Sequence, residues 1–288
     1  MIDEFIEHLK LRGKESAANV YRTQLVKFEQ FLASKGSSLD TFTPADVQEF
    51  TTGMKPRTAN LTISAIRSYL AFRVSTASPE NYMHEDQRYH AVKSLISLHK
   101  VPTKLKKSAL KPEEVETLLA KVYDKYGEPL FSGVVCLFYF GWRAGEAVEN
   151  FSKARISYKN RYIRIITAKT GNERIIPYPD YLHAHVMTWQ REAKRICSTY
   201  VRHREYLTKH LRKWRIGGVR VTAKTARRTF ETHMRKSGMT QWKLNFVLGH
   251  STQVPDIYTD YTELVEDIRH ELEEKHYLTQ NMIEQVVL

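Results

Sequence analysis

One stretch near the end of the chain, residues 221–261, combines side chains that can together attack a phosphodiester. Its cationic, imidazole and phenol groups are, in chain order, Lys224, Arg227, Arg228, His250 and Tyr258. Cations hold a phosphate, an imidazole donates a hydrogen bond to it, and a phenol becomes a nucleophile when it loses its proton. The stretch therefore predicts nucleophilic substitution at phosphorus.

The composition predicts a basic globular protein with a polyanionic partner. The chain has 288 residues, a formal net charge of +13 and 42% hydrophobic residues. This length favours two domains with sizeable cores. So large a basic excess points to a polyanion, most simply nucleic acid. An anionic membrane surface is the other class of partner, but no basic run is joined to a lipidation motif or an amphipathic anchor.

The cysteines and the apolar segments favour a soluble cytoplasmic protein. Cys136 and Cys197 are too few for a disulfide framework, and Cys136 lies in an apolar run where it is expected to be a small buried hydrophobe. The opening residues MIDEFIEHLK are amphipathic and acidic, unlike a signal peptide. The longest apolar run, residues 133–142, is too short to span a bilayer.

The first 98 residues predict an all-helical domain. Apolar residues recur at helical spacing in two segments within residues 1–35, and Thr43 before Pro44 is typical of a helix N-cap. Further helices are expected after Pro56 and near residues 84–99. Four basic residues of this domain can contact DNA phosphates or remain solvated surface charges: Lys55, Arg57, Arg67 and Arg73.

Residues 99–109, HKVPTKLKKSA, predict a basic linker between two domains. The segment has one proline, four lysines and almost no large apolar residue. Such a segment is extended and can follow a DNA backbone. We expect Lys104, Lys106 and Lys107 to bind DNA phosphates there, together with Arg228 further along the chain.

Residues 110–288 predict a second domain that is mainly helical with a small β-sheet. A helix is expected from Pro112, and residues 130–142 are apolar on all sides, as in a buried central helix. Two segments rich in β-branched and aromatic residues, 158–166 and 173–178, flank a Lys-Thr-Gly-Asn turn and predict a hairpin or small sheet. Helices are expected at 182–198 and 263–275, followed by the tail MIEQVVL.

Five segments of the second domain resemble the boxes of the tyrosine recombinase family, the phage integrase and Xer group. The segments are Phe-Gly-Trp-Arg-Ala-Gly-Glu ending at Glu146, the turn around Lys169, Lys-Thr-Ala-Arg ending at Arg227, Leu-Gly-His ending at His250, and Ile-Tyr-Thr around Tyr258. The first domain resembles the helical core-binding module of the same family. The resemblance spans nearly the whole chain, which looks like the archaeal Xer-like recombinases and integrases of this family.

The resemblance implies a role for each of these residues. Arg143 and Arg227 clamp the non-bridging oxygens of the phosphate, because a guanidinium offers two hydrogen bonds and a permanent charge. Glu146 orients Arg143. His250 donates one more hydrogen bond.

The remaining two roles are nucleophile and proton donor. Tyr258 attacks to give a 3′-phosphotyrosyl intermediate, and the cationic pocket lowers the pKa of its phenol. Lys169 is the main candidate for the general acid at the leaving 5′-oxygen, and Lys224 is a phosphate ligand or a second proton donor. Neither a metal nor another cofactor is implied.

The sequence departs from the family pattern at three positions. Lys224 stands where histidine is usual, a variation also found in archaeal integrases of the family. The spacing between His250 and Tyr258 is one residue short and includes Pro255, which leaves Tyr261 as an alternative nucleophile. Phe140 replaces the usual threonine of the first box.

The resemblance also implies a C-shaped clamp around DNA and a tetramer that exchanges strands between two duplexes. The resemblance leaves two biological roles open, integration or excision of a mobile element and resolution of chromosome dimers. Two alternative functions are open as well: a DNA-binding protein of this fold with impaired catalysis, and an enzyme like the type IB topoisomerases. The tail MIEQVVL either docks on a neighbouring protomer or packs on its own domain.

Each of these residues by itself has a simpler interpretation. Arg143 beside Glu146 forms an ordinary helical ion pair, Lys169 is a solvated turn lysine, and Tyr258 is one of sixteen tyrosines. Lys224 and Arg227 fit a DNA-binding face without chemistry, and Leu-Gly-His fits a helix C-cap. Their occurrence together, in the family's order and local context, favours the catalytic interpretation.

Overall fold

The chain folds into two compact units, residues 1–104 and 105–288. A computed structural model describes residues 1–101, 108–167, 171, 173–250 and 261–287. Helices make up most of the described residues, with two small antiparallel sheets, as the sequence predicts. Several predicted functional residues lie outside the described ranges: Lys104, Lys106, Lys107, Lys169 and Tyr258.

The first unit contains five helices around one apolar core. They are α1 (Ile2–Leu11), α2 (Glu15–Ser34), α3 (Pro44–Thr51), α4 (Pro56–Thr76) and α5 (Pro79–Leu95). Phe5, Phe28 and Tyr69 are among its fully buried side chains. The predicted N-cap of α3 is confirmed, since the Thr43 hydroxyl accepts from the Asp46 N–H and the Asp46 carboxylate accepts from the Thr43 N–H.

Two of the four basic residues considered for DNA contact hold this unit together. Arg67 donates to the backbone carbonyls of Lys93 and Ile96 at the end of α5. Arg73 is paired with Asp40 and with the buried carboxylate of Glu85. Lys55 and Arg57, at the start of α4, are exposed.

The second unit contains the remaining helices and both sheets. Its helices are α6 (Pro112–Tyr126), α7 (Glu128–Phe140), α8 (His183–Thr199), α9 (Tyr206–Leu211), α10 (Ala223–Lys236), α11 (Gln241–Leu248), α12 (Tyr261–Lys275) and α13 (Gln280–Val287). Its strands are β1 (Arg155–Ser157), β2 (Tyr162–Ile166), β3 (Glu173–Pro177), β4 (Arg215–Ile216) and β5 (Val219–Arg220). β1, β2 and β3 form one antiparallel sheet, and β4 pairs with β5.

Helix α7 is the centre of the second unit, as its all-round apolar sequence predicts. Every residue from Leu130 to Phe140 is buried, Cys136 included. Gly133 leaves room for the indole of Trp189, because a Cβ there would overlap the ring. That indole donates to the backbone carbonyl of Ala147 at 2.7 Å and so fixes the chain just beyond α7. The helix packs against α6, α8 and α10.

The sheet differs from the prediction at its first strand. Residues 158–161 form the turn between β1 and β2 instead of extending β2. Alternation explains β2, in which Ile163 and Ile165 are buried whereas Arg164 and Ile166 are exposed. The β2–β3 register pairs Ile166 with Glu173, which confirms the predicted hairpin strands. Lys169, Thr170 and Asn172 of the predicted turn lie outside the described residues.

The C-terminal segment packs on its own unit. α13 includes most of the tail MIEQVVL and lies against α6, with Ile283 buried. α12 packs on β3. No helix within the described ranges combines the length and the apolar character that crossing a membrane requires.

His276, between α12 and α13, is a fully buried neutral histidine. Its Nε2 donates to the carbonyl of Tyr139 at 3.1 Å, its Nδ1 accepts from the N–H of Leu278 at 2.9 Å, and its ring stacks on Tyr139. Burial lowers the pKa of His276 to about 3.

We predict that replacing His276 with phenylalanine weakens the acid sensitivity of the second unit. The unfolded chain protonates His276 near pH 6.5, whereas the folded chain protonates it only near pH 3. The contribution of neutral His276 to the free energy of unfolding is therefore fully present above pH 6.5 and is lost as the pH falls from 6.5 towards 3. The expected loss is about 1.4 kcal/mol per pH unit in that window. Thermal melts across this range should show a shallower decline for His276→Phe. The exposed His270→Gln variant should keep the wild-type decline, and equal declines in wild type and His276→Phe would contradict the assignment.

Candidate active site

Arg143 follows the end of helix α7, where a glycine turns the chain. Gly141 has a φ of 59°, the left-handed conformation that other residues adopt only with strain. A Cβ at Gly141 would also press on the ring of Phe230. Phe140, which stands in place of the expected threonine, stacks in the core on Trp142 with ring centroids 4.5 Å apart. The helix therefore ends at a rigid point, and Arg143 emerges with 28% of its side chain exposed.

Glu146 is a fully buried carboxylate on a π-helical turn, Glu146–Asn150. It accepts from Arg143 twice, from the guanidinium Nη1 at 2.7 Å and from the backbone N–H at 3.1 Å. Arg174 donates to it at 3.2 Å, and Nη1 of Arg227 lies 4.0 Å away. Burial opposes ionisation, but these neighbours outweigh it and hold the pKa of Glu146 below its ordinary 4.5. The predicted contact of Glu146 with Arg143 is thus present in the structure.

Arg227 comes from α10, which begins at a capping box between Thr222 and Thr225. Its guanidinium holds the ends of two other helices, donating to the carbonyl of Gly141 at 3.0 Å and to that of Leu248 at 2.8 Å. Burial and nearby Arg143 lower the pKa of Arg227 to about 10, so the group keeps its charge at neutral pH.

Lys224 and Arg228 lie one helical turn apart on α10, and both side chains are exposed. Lys224 is in the first turn of the helix, where the backbone N–H groups and the helix dipole favour an anion. Its position on the same helix as Arg227 is compatible with phosphate contact. The predicted contact of Arg228 with DNA stays a prediction.

His250 follows helix α11, which ends at Gly249 in a left-handed conformation with a φ of 65°. This confirms the C-cap expected from the Leu-Gly-His sequence. Nε2 of His250 lies 2.9 Å from Nη2 of Arg227, and Nδ1 lies 3.3 Å from Oδ1 of Asn245. Because arginine only donates, Nε2 accepts and Nδ1 carries the proton. Burial and the charges of Arg227 and Arg143 lower the pKa of His250, which favours this neutral form.

Two further residues of the site were not predicted from the sequence, Arg174 and Asn245. Arg174 on β3 is 5% exposed and contacts Glu146. Asn245 accepts from the His250 backbone as well as lying beside its imidazole. Arg174 sits in an Arg-Ile-Ile-Pro strand sequence, where a cation among apolar residues is the signal that it faces inward. Asn245, on a short helix, has no such signal.

The predicted lysine and tyrosine of the site stay untested by the geometry. Lys169 lies in the β2–β3 turn and Tyr258 in the segment after His250, both outside the described residues. Tyr261, the alternative nucleophile, is the first residue of α12. Ten residues, 251–260, therefore connect two fixed points, the His250 turn and the start of α12.

The described part of the site is suited to holding a phosphate diester. Arg143, Arg227 and His250 come from three separate elements and converge around one buried carboxylate, Glu146. Cations fixed in place before the substrate arrives stabilise negative charge without reorganising in the transition state. The arrangement can therefore bind a phosphate and stabilise the additional charge of a pentacovalent transition state.

Comparison with known proteins places these residues in context. Residues 2–76 match the phage integrase N-terminal SAM-like domain. Over its whole length the chain is similar to tyrosine recombinase XerA of Thermococcus onnurineus, with 26% identity covering 99% of this chain and 98% of the relative. It is also similar to tyrosine recombinase XerA of Pyrococcus furiosus, with 27% identity covering 91% and 90%.

Solved structures share the fold. A lambda integrase fragment in a dimer bound to a COC′ core site aligns over 90% of this chain and 98% of its own length, with a TM-score of 0.59 and 14% identity. Lambda integrase in a tetramer bound to a Holliday junction aligns over 94% of this chain and 76% of its own, with a TM-score of 0.58 and 13% identity.

We predict that Glu146→Gln destabilises the second unit by about 3 kcal/mol, because the substitution keeps the size of the side chain but leaves buried guanidinium groups without their counter-charge. Chemical denaturation of both proteins measures the difference. Glu149→Gln is the matched control on the same π-helical turn. Glu149 pairs with Arg204, whose side chain is 69% exposed, so its loss should cost less than about 1 kcal/mol. Equal losses in the two variants would contradict the central role given to Glu146.

Proposed function

We propose that this chain is a tyrosine-type site-specific DNA recombinase that breaks and rejoins strands through a covalent 3′-phosphotyrosyl intermediate. Its similarity to two archaeal XerA tyrosine recombinases over more than nine tenths of its length supports this proposal. The single observation that supports this most is the convergence of Arg143, Arg227 and His250 around buried Glu146. A DNA-binding surface without chemistry has no need of partly buried arginines fixed around a buried carboxylate, since exposed lysines and arginines bind backbone phosphates equally well.

In the proposed reaction the phenolate of Tyr258 attacks the scissile phosphorus and the 5′-oxygen leaves. Arg143 and Arg227 stabilise the non-bridging oxygens. His250, whose Nε2 accepts from Arg227 in the unbound chain, donates a hydrogen bond to the phosphate only when Nε2 carries the proton. Lys169 protonates the leaving oxygen, and Lys224 binds the phosphate or acts as a second proton donor. The phosphotyrosyl bond retains the energy of the broken linkage, so a DNA hydroxyl can reverse the step and join a new strand. This chemistry calls for no metal and no nucleotide cofactor.

The substrate we propose is double-stranded DNA, bound by both the helical first unit and the catalytic second unit. The net charge of +13 supports a DNA partner. Lys104, Lys106, Lys107 and Arg228 are proposed backbone contacts. We further propose that four protomers assemble on two duplexes, since lambda integrase has been solved as a tetramer on a Holliday junction. Integration or excision of a mobile element and chromosome dimer resolution both fit this scheme.

We predict that the protein forms a covalent adduct with a nicked suicide duplex and that Tyr258→Phe abolishes it. Loss of the short strand after cleavage prevents religation, so the adduct accumulates and survives denaturing electrophoresis. Tyr261→Phe is the matched control and should retain the adduct. An adduct in Tyr258→Phe that disappears in Tyr261→Phe would move the nucleophile to Tyr261.

The same substrate separates the alternative functions. DNA binding by the wild type with no adduct would favour the catalytically impaired protein, for which the lysine at position 224 and the short spacing before Tyr258 are the motivation. Relaxation of supercoiled DNA that lacks any specific site, without strand exchange, would favour an activity like that of the type IB topoisomerases. Strand exchange between two defined sites supports the recombinase.

A sulfur-containing substrate tests the role of Lys169. We predict that Lys169→Ala slows cleavage of ordinary DNA by about 10²–10⁴-fold, the usual contribution of a general acid. Cleavage should recover when sulfur replaces the leaving 5′-oxygen, because a thiolate departs without a proton. Cleavage by Lys224→Ala should recover with the sulfur-containing substrate only if Lys224 is the proton donor. The exposed Lys159→Ala variant, altered in the β1–β2 turn of the same sheet, should cleave both substrates at the wild-type rate.

A further inference from the structure

Arg174 is a buried arginine with unusual surroundings. Only 5% of it is exposed, and Nη2 donates to Glu146 at 3.2 Å. Its Nε and Nη1 atoms are also buried, and neither has a hydrogen-bond partner within the described residues. Burial lowers the pKa of Arg174, an effect that neighbouring Arg143 adds to and Glu146 opposes.

Such a group is costly for folding alone. A buried charge with unpaired N–H groups loses its hydration without full compensation. Arg143 already supplies Glu146 with a counter-charge and two hydrogen bonds. Replacing a whole buried ion pair by apolar residues is often neutral in other proteins, and without Arg174 the carboxylate of Glu146 would still be paired with Arg143. A purely structural role therefore does not explain why arginine occupies this position.

The contact with Gly249 gives Arg174 a second connection. A Cβ built on Gly249 would overlap the Nη1 and Cζ atoms of Arg174, so the guanidinium lies directly against the backbone of this turn. The turn ends helix α11 and carries His250. A cation there also faces the carbonyl end of the helix, where positive charge is favourable. Arg174 thus contacts both Glu146, which holds Arg143, and the residue before His250.

Its position on the strand relates these contacts to the β2–β3 turn. Arg174 is the second residue of β3, and Lys169 lies five positions earlier in the turn that precedes this strand. We propose that Arg174 is a positioning residue for strand cleavage, which fixes the hairpin bearing Lys169 against Glu146 and the His250 turn. This inference rests on the proposed function.

Charge is the second consequence of this arrangement. Within the described residues, the guanidinium groups of Arg143, Arg174 and Arg227 surround the single carboxylate of Glu146, and His250 is neutral. The charge of Arg174, the most buried of the three arginines, offsets the negative charge of Glu146. The positive charges of Arg143 and Arg227 then remain available for the phosphate. In the low-dielectric interior this contribution requires no contact between Arg174 and DNA.

Cleavage on bound DNA separates this role from DNA binding. With the duplex saturating, Arg174→Met should form the covalent adduct about 10- to 100-fold more slowly than wild type, the range expected when a supporting residue no longer fixes a catalytic group. Its DNA affinity, measured by fluorescence anisotropy, should stay within about threefold of wild type because the residue is buried. Arg174→Lys retains the charge and should recover part of the rate. Arg195→Met removes an exposed arginine of α8 and should have no effect.

The outcomes distinguish this inference from the proposed function. If the wild type forms no adduct, the proposed function fails. If the wild type forms it and folded Arg174→Met forms it equally fast, the proposed function stands and the role of Arg174 is refuted. A parallel loss of DNA affinity and cleavage would refute it too. Thermal unfolding verifies that each variant is folded. If Arg174→Met does not fold, the cleavage rate and DNA affinity of Arg174→Lys are compared with those of the wild type instead.

The pH dependence gives a readout that a packing role would not change. Among the described residues, Arg143, Arg174 and Arg227 are charged groups that face Glu146, and Glu231 acts on Arg227. Removing the cation at position 174 raises the pKa of Glu146, so a protonated Glu146 releases Arg143 at a higher pH. The acid limb of the cleavage rate should therefore shift upward in Arg174→Met and return towards the wild-type position in Arg174→Lys. An unshifted limb would contradict the electrostatic part of the proposal.

A double-mutant cycle tests the contact with Gly249. Gly249→Ala strains the left-handed turn in any background, but only with Arg174 present does the new Cβ meet the guanidinium. The loss of cleavage caused by Gly249→Ala should consequently be several-fold smaller in Arg174→Met than in the wild type. An equal loss in both backgrounds would show that the contact does not position the turn.

Discussion

The buried carboxylate of Glu146 is the constraint that the described site depends on. A carboxylate with no solvent exposure remains ionised only when cations surround it, and these come from the chain after α7, from β3 and from α10. Satisfying one charge thus fixes three elements that are distant in sequence. The site is therefore an extension of the hydrophobic core, and disturbing it disturbs the fold of the second unit.

The C-terminal ends of two helices also hold the site in place. Two helices, α7 and α11, terminate at left-handed glycines, Gly141 and Gly249, and Arg227 binds a carbonyl at each end. Positive charge at helix C-termini is favourable, which helps a partly buried guanidinium keep its charge. Nη2 of Arg227 is also shared with His250. These contacts use three of the five N–H donors of the Arg227 guanidinium and hold the group in place before a phosphate binds.

The elements that follow the His250 turn are held to the same unit. Lys243 on α11 pairs with Asp267 at 2.7 Å and Glu271 at 2.8 Å on α12. Helix α13 packs on α6 and buries Ile283. Of the two sequence-based expectations for MIEQVVL, packing on its own domain matches this arrangement of the single chain. The segment carrying Tyr258 thus begins and ends at points fixed on the unit that supplies the arginines.

Local patterns in the sequence were sufficient for much of the fold. Periodic apolar residues predicted most helices, Thr43-Pro44 predicted the start of α3, and the glycine of Leu-Gly-His predicted the end of α11, since each signal acts within a few residues. The start of α5 at Pro79 was missed, and residues 158–161 were assigned to a strand, because pairing with β1 and β3 decides where β2 begins. The apolar tail was not predicted to be helical, since burial against α6 stabilises so short a helix.

The candidate site was also predicted from the sequence only in part. The sequence alone determined the residue types and their order, and the resemblance to tyrosine recombinases assigned roles to Arg143, Arg227 and His250. Only the tertiary structure decided that Arg174 joins them and that His250 accepts a hydrogen bond from Arg227. The physical reason is that side-chain ionisation and hydrogen-bond direction depend on which charges and carbonyls folding brings within a few ångströms, and residues distant in sequence provide most of them.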